Sequence, residues 1–266
     1  MKLFFRKYGE GPPLILLHGL YGSSDNWVTI ARKISDRYTV YLPDQRNHGL
    51  SPHSPVHDYG AMSDDVFDLV TDLGYRKIFL AGHSMGGKTA MTFAAAHPEM
   101  LSGMLIADIS PFTNNTGRRS EYDKHYGILK TILETDVSGA STRNEIDLKL
   151  SAGIDSPKVR ELIMKNLQRT ETNKFRWKLN AAALMNNLSG IVDDLPFYDD
   201  GYHTITGFPV IFLKGENSGY FDRNDFKRIA RIFPAAELVI IPGAGHWLNT
   251  DNPDAVSGAL SGLLSS

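Results

Sequence analysis

The chain has 266 residues and no cysteine, with 42% hydrophobic residues and 28 basic against 30 acidic side chains, a formal net charge of -2. That is enough for one large domain or a domain with an insertion, built on a sizeable core. It excludes disulfides and cysteine–metal sites within the chain, gives no general attraction to nucleic acid or an acidic membrane, and contains no run long enough for an integral membrane segment. The absence of cysteine fits a cytoplasmic location. Met1 to Lys7 carries charge without a long apolar stretch after it and reads as the approach to a first strand over Leu3 to Tyr8, not as a signal peptide. Gly9 to Pro12 is a turn, and Pro13 to Leu17 is almost continuously apolar, as a strand covered on both faces should be. Asn26 to Tyr38 reads as a helix with Trp27, Ile30, Ala31 and Ile34 on its apolar face. Tyr38 to Leu42 is a short strand that runs into a polar loop, Pro43 to Ser51. Tyr59 to Thr71 turns helical and Gly74 ends it.

Lys77 to Ala81 is the next strand, and Lys88 to Ala96 the next helix, stopped by His97-Pro98. Leu101 to Ala107 is another strand, ending in Asp108-Ile109-Ser110-Pro111. Alternating strands and helices give an α/β fold with a mostly parallel central sheet flanked by helices. The rhythm breaks over 112–207, which holds several helical patterns and no convincing buried strand. Pro157 starts one helix, whose inward stripe would be Val159, Leu162, Ile163 and Leu167; Phe175 to Leu188 is a second. This stretch reads as a helical lid inserted into a core formed by 1–111 and 208–266. The core resumes with a strand at Pro209 to Leu213, a helix at Phe226 to Phe233, a last strand at Glu237 to Ile241 and a closing helix from Pro253 to Leu264.

Between the strand at Lys77–Ala81 and its helix lies Gly82-His83-Ser84-Met85-Gly86. Strand, sharp turn and helix around Gly-x-Ser-x-Gly is the context of a nucleophilic serine. A serine hydroxyl is a weak nucleophile and needs a base with something to orient it. His246, in the glycine-rich loop after the last strand, is the best base. The oxyanion of an acyl-transfer intermediate needs two backbone N–H donors, expected from Met85 after the nucleophile and Leu20 after His18-Gly19. The acid commonly follows the strand after the lid, but there the usual Gly-x-x-Asp pattern has Ser218 in the aspartate position. Asp108, ending the strand beside the one that bears Ser84, takes its place; Asp222 and Glu216 are fallbacks, and Asp194 is structural. His18 is read as bracing a loop, and His83 as packing or lining the pocket. Gly82–Gly87 followed by Lys88-Thr89 lacks the spacing of a phosphate-binding loop.

These residues resemble those of a known group. Asp44-Gln45-Arg46-Asn47-His48-Gly49-Leu50-Ser51 is similar to a segment of the small bacterial serine esterases of the YbfF type and of the related hydrolases called abhydrolase domain-containing protein eleven, all with the α/β-hydrolase fold. Ala107 to Pro111, Phe175 to Asn180 and Gly215 to Ser218 resemble the acid segment, a lid-helix segment and a Gly-x-Asn-Ser loop of the same group. The resemblance implies Ser84 as nucleophile, His246 as base and Asp108 as acid, with Arg46, Asn47 and His48 bracing the loops. It implies hydrolysis of a small-molecule carboxylic ester, or of an acyl thioester such as acyl-CoA. The serine mechanism needs no metal or organic cofactor, and the sequence is equally compatible with a monomer and a homodimer. His83 and the aromatics Phe112, Phe175, Trp177 and Phe197 are candidates to line the substrate pocket. Competing expectations on the same scaffold are amide or peptide hydrolysis, carbon–carbon bond hydrolysis, and ligand binding without catalysis.

Overall fold

The computed structural model describes residues 1–113, 115–195 and 204–264, with the side chains of 115–117 left out. Seven strands form one sheet: β1 Phe5–Tyr8, β2 Pro13–Leu17, β3 Thr39–Pro43, β4 Ile78–His83, β5 Leu101–Ala107, β8 Val210–Gly215 and β9 Ala236–Ile241. Their order is β1-β3-β2-β4-β5-β8-β9. Only β1 runs antiparallel to its neighbour, so the sheet is mixed and mostly parallel, as the apolar runs imply. Side chains alternate across it. Ile78 and Leu80 of β4, with Met104 and Ile106 of β5, enter one core; Ala81, Leu105 and Ala107 enter the other.

Helix α1 (Val28–Ile34) packs with α11 (Pro253–Gly262) on one face, through Ile30 and Ile34 against Val256 and Leu260. Helices α2 (Tyr59–Asp72), α3 (Met85–Ala96) and α9 (Phe226–Ile232) cover the other. Each fully buried Leu, Ile or Phe in these layers contributes roughly 1.5–3 kcal/mol relative to exposure. Helix starts follow their caps: Asp58 accepts from Ala61 N at 2.7 Å before α2, and Asn252 accepts from Ala255 N at 3.2 Å before α11. A short helix, α10 (Leu248–Asp251), begins two residues after His246, with Trp247 between.

Between β5 and β8 the chain leaves the sheet and builds a separate small core. It comprises α4 (Asn115–Glu134), α5 (Arg143–Leu150), α6 (Pro157–Met164), the hairpin β6 (Leu167–Arg169) and β7 (Phe175–Trp177), α7 (Ala181–Asn186) and α8 (Leu188–Val192). Ile128, Leu129, Ile146, Ile163 and Leu184 fill its interior, and Tyr21 from the sheet side packs into the same cluster. The helix expected over Phe175–Leu188 is therefore two short helices preceded by a strand. Phe175 is buried and Arg176 exposed, a period of two over three residues, and Asn180 then starts α7 by accepting from Ala183 N at 3.2 Å. Leu167, expected on the stripe of α6, lies in β6 for the same reason. Phe197 lies outside the described residues.

The polar loop after β3 is held by a buried pair. Arg46 Nε and Nη2 donate to the two oxygens of Asp65 at 2.6 and 2.8 Å, and Nη2 also donates to Ala61 O at 2.8 Å. Removing one partner of such a pair strands the other charge. Arg46→Ala is expected to cost about 3 kcal/mol in a urea titration, the low end of the range for breaking a buried pair, because the Met1 amino group stays 2.6 Å from Asp65. A loss under about 0.5 kcal/mol, the scale of an ordinary surface substitution, would contradict it.

Candidate active site

Ser84 sits between the last residue of β4 and the first of α3, with φ 52° and ψ −119°. That backbone region is sparsely populated by residues other than glycine and is held only where the surroundings over-determine it. Two glycines make it accessible. A Cβ on Gly82 would meet Gly86 O at 2.1 Å, and one on Gly86 would meet Leu17 O at 2.5 Å. Ser84 N donates to Ala107 O at 3.1 Å, tying the turn to β5. Met85, first residue of α3, has no partner for its N–H within the helix, as at any helix start. Leu20 lies in a turn closed by Gly22 N donating to Gly19 O at 2.9 Å.

Asp108 follows β5 and is fully buried. Its Oδ1 accepts from Gly215 N at 2.9 Å. Its Oδ2 accepts from His246 Nδ1 at 2.8 Å and from the Ser218 hydroxyl. Strand β8 lies next to β5, which brings the loop carrying Ser218 onto Asp108. The contact with Asp108 puts the proton of His246 on Nδ1 and leaves Nε2 bare. Tyr220 stacks on the His246 ring, with centroids 3.7 Å apart and planes 18° from parallel. Lys124 of α4 donates to Tyr220 OH at 2.5 Å. On the other side His83 Nε2 donates to the His246 carbonyl at 2.7 Å. Burial pushes the His83 imidazole down to about 3, so it stays neutral.

A cavity of about 450 Å³ opens between the sheet edge and the inserted helices. Ser84, His246, Leu20, Met85, His83 and Phe112 all line it; Asp108 stands behind His246. Ile128, Val159, Leu162, Ile191 and Val192 from the insertion supply apolar walls, and Glu121, Lys124 and His125 of the same insertion polar ones. Trp177 does not line the cavity. It sits in β7 opposite Leu167 and packs on the insertion's own core, where the hairpin turns it away from the sheet edge. Phe175 is buried in that core too. Glu216 accepts from Gly243 N at 2.8 Å, Asp222 caps a turn at Asn224 N at 2.8 Å, and Asp194 accepts from Thr113 N. None of these three takes the position beside His246 that Asp108 occupies.

Three features at or beside the cavity have roles that the sequence did not show. Ser218 had a signal, since it fills the place of the usual acid, but its contact with Asp108 depends on strand order. Tyr220 had none. Lys88, 3% exposed, lines the cavity and donates to Asp193 O at 2.5 Å at the end of α8. Burial pushes its amine down to about 8. Among the described residues no cluster of histidine and carboxylate side chains is placed to hold a metal ion, and no helix is long and apolar enough to cross a membrane.

A parallel sheet with a serine at the β4–α3 turn and a histidine–aspartate pair at neighbouring strand ends is the architecture of the α/β-hydrolase fold. The sequence model of that family matches residues 12–253, and the chain belongs to it. Its relatives include the sn-1-specific diacylglycerol lipase ABHD11 of Danio rerio, 34% identical over 259 residues, which span 96% of this chain and 79% of that protein. Esterase YbfF of Escherichia coli (strain K12) is 30% identical over 254 residues, 95% of this chain and 92% of that one. A solved structure described as a marine microorganism esterase superposes with a TM-score of 0.90 at 41% identity, covering 98% of this chain and 99% of its own. The protein is thus a hydrolytic enzyme of the esterase/lipase type, related to the group that the Asp44–Ser51 segment resembles.

Proposed function

We propose that the enzyme hydrolyses carboxylic esters through a Ser84–His246–Asp108 triad and an acyl-enzyme. The single observation that carries this reading is the Asp108 Oδ2–His246 Nδ1 contact of 2.8 Å, with Ser84 and His246 lining one cavity. His246 Nε2 takes the Ser84 proton as Oγ attacks the ester carbonyl. The Leu20 and Met85 N–H groups hold the oxyanion. As the carbonyl re-forms, the imidazolium gives its proton to the departing alkoxide, which leaves as the alcohol. Water attacks the acyl-enzyme with the same histidine as base; the proton then returns to Ser84 Oγ and the acid departs. Asp108 holds the tautomer and stabilises the imidazolium.

Phe112 with Ile128, Val159, Leu162, Ile191 and Val192 forms the acyl pocket under a lid, and His83 braces the His246 loop. Acyl thioesters are the alternative substrates, since a thiolate leaves by the same steps. The names of the relatives, an esterase and a diacylglycerol lipase, favour esters over amides.

Two measurements test the reading. A fluorophosphonate should add its phosphonyl mass to the intact protein once, and Ser84→Ala should stay unlabelled; a labelled Ser84→Ala would sink the nucleophile assignment. Rates on short and long acyl esters, acyl-CoA thioesters and an amide should rank esters first. An amide turned over faster than every ester would overturn the reaction class.

A further inference from the structure

The Gly19–Gly22 turn presents the Leu20 N–H, and its third residue is Tyr21, at φ 64°. Left-handed backbone in that place of a turn is a glycine or asparagine position. A tyrosine there is a steric outlier that persists only if other groups hold it. Both peptide groups that flank Tyr21 are held. Its N–H donates to His48 Nε2 at 3.2 Å, and its carbonyl accepts from Asn166 Nδ2 at 2.7 Å. His48 Nδ1 donates to Arg46 O at 2.9 Å, so Nε2 is the bare nitrogen that can accept. A carbonyl can only accept, so the group of Asn166 that meets it is the NH2. Asn166 is 1% exposed and Tyr21 3%.

Asn166 belongs to the inserted segment, between α6 and β6. Its own backbone is fixed by N donating to Ile163 O at 2.9 Å and O accepting from Lys178 N at 2.8 Å across the hairpin. The amide is therefore delivered to Tyr21 at a set position. With the two peptide planes after Leu20 fixed, the turn keeps its shape, and Leu20 N–H takes no part in the turn's own bonding. Without Asn166, Tyr21 can relax toward negative φ, where a tyrosine is unstrained. That rotates the Tyr21–Gly22 peptide, whose N–H closes the turn on Gly19 O, and so shifts the Gly19–Leu20 peptide that carries the Leu20 N–H.

We infer that Asn166 is a positioning residue of the oxyanion hole, clamping the strained Tyr21 so that Leu20 N–H points at the reacting carbonyl oxygen. The inference rests on the esterase reading above. It gives the insertion a second task besides covering the cavity: the oxyanion hole is complete only while the hairpin is docked on the sheet edge. Withdrawal of the hairpin would release Tyr21 and slacken the donor, so turnover is coupled to docking.

The test is a double-mutant cycle on an ester that the wild-type enzyme turns over. Asn166→Ala is expected to lower kcat about 10- to 100-fold, the scale of a misplaced oxyanion donor, and to shift KM by less than about threefold, because the substrate carbonyl carries little charge before attack. The Kd of an alkyl boronic acid, which forms a tetrahedral adduct on the serine, should weaken by the same factor as kcat falls. Glycine adopts positive φ freely, so in a Tyr21→Gly background Asn166→Ala should cost under about threefold in kcat, given that coupled sites are non-additive. Asn187→Ala removes a different hydrogen bond from the insertion, Nδ2 to Pro55 O at 2.8 Å, without touching Tyr21, and should leave kcat and the boronic acid Kd at wild-type values.

If Asn166→Ala cannot be purified folded, Asn166→Asp keeps the volume, loses the donor and should give the same pattern. The inference is overturned if the folded Asn166 variant keeps kcat within about twofold of wild type, if its effect is the same in the Tyr21→Gly background, or if Asn187→Ala matches it. Failure of wild-type enzyme to take the phosphonate or turn over esters would overturn the esterase reading and this inference with it. A labelled, active wild type beside an indifferent Asn166→Ala overturns this inference alone.

Discussion

Asp108→Asn is expected to lower kcat on esters by about 10⁴-fold while the protein stays folded, the size of effect a carboxylate-to-amide change has in a serine triad elsewhere. The hydrogen bonds around Asp108 say why. Its two oxygens accept from three donors: Gly215 N–H on Oδ1, and His246 Nδ1–H and Ser218 O–H on Oδ2. An amide must put its NH2 in one of those places. Against the Gly215 N–H it would bury two donors face to face, and a backbone N–H cannot reverse its role. On the Oδ2 side it meets two groups that can. The Ser218 hydroxyl rotates to accept, and His246 gives up its Nδ1 proton to accept there as well. The imidazole proton then sits on Nε2, facing Ser84, and the base is blocked.

Ser218→Ala removes one donor and should cost only about tenfold, in line with a single hydrogen bond to a charged group. Ser218→Asp added to Asp108→Asn should recover at least about tenfold of the lost rate, because Ser218 already reaches the oxygen that holds His246. Steady-state kcat for the three variants, with melting curves to verify folding, checks the set. An Asp108→Asn enzyme within tenfold of wild type would show that Asp108 does not hold the tautomer.

How far such a site is legible in a sequence depends on which interactions are local. Leu101–Ala107 occurs as a strand over the residues expected, because a run buried on both faces needs no partner to be recognised. The Ser84 turn is equally local, since its glycines stand within two residues of it. Asp108 was reachable by elimination, once Ser218 stood where an acid was due. The contact from Ser218 to Asp108 was not, because it requires β8 to lie beside β5 with 102 residues between Ala107 and Val210. The insertion failed for the opposite reason. Its segments are short, and Phe175-Arg176-Trp177 alternates for only three residues before Ala181-Ala182-Ala183-Leu184 supplies a helical pattern. An aromatic in such a segment reads as a pocket wall whether it faces the cavity, as Phe112 does, or the insertion's own core, as Trp177 does. Asn166 and Tyr21 carry no sequence signal at all: one is a lone asparagine and the other a tyrosine where a turn favours glycine.

Acidification below about pH 6.5, the ordinary histidine pKa, is expected to destabilise the protein steeply, and the cause is a set of buried neutral histidines beside the site. His18, His48, His57 and His83 are all buried. Burial lowers each, His48 well below the ordinary histidine value and His57 and His83 to about 3. The hydrogen bonds oppose a second proton as well. His18 Nε2 accepts from Gln45 N–H at 2.9 Å, His48 Nε2 from Tyr21 N–H at 3.2 Å, and His57 Nδ1 faces the Asn47 amide at 3.2 Å. Protonating any of these nitrogens would set donor against donor. The rings of His18 and His48 are 5.1 Å apart and those of His48 and His57 5.6 Å, so a first charge makes a second harder still.

The folded-state pKa values lie below those of the unfolded chain, so between about pH 6.5 and 3 the unfolded chain binds more protons, and stability falls as pH falls. Each fully neutral histidine contributes a slope of roughly 1.4 kcal/mol per pH unit. His57 and His83 alone give about 3 kcal/mol per unit, enough to exhaust a stability of roughly 5–15 kcal/mol within a few units. Glu121, which burial would raise but hydrogen bonds with His125 and Tyr220 hold down to about 2, is the opposite case in a different window: its contribution is lost only below about 4.5. Urea midpoints at pH 7, 6 and 5 therefore isolate the histidines. His57→Asn, which keeps an acceptor for Asn47 and cannot titrate, should flatten the slope by about 1.4 kcal/mol per unit. Unchanged midpoints from pH 7 to 5 would mean that these imidazoles take up protons in the folded protein as readily as in water.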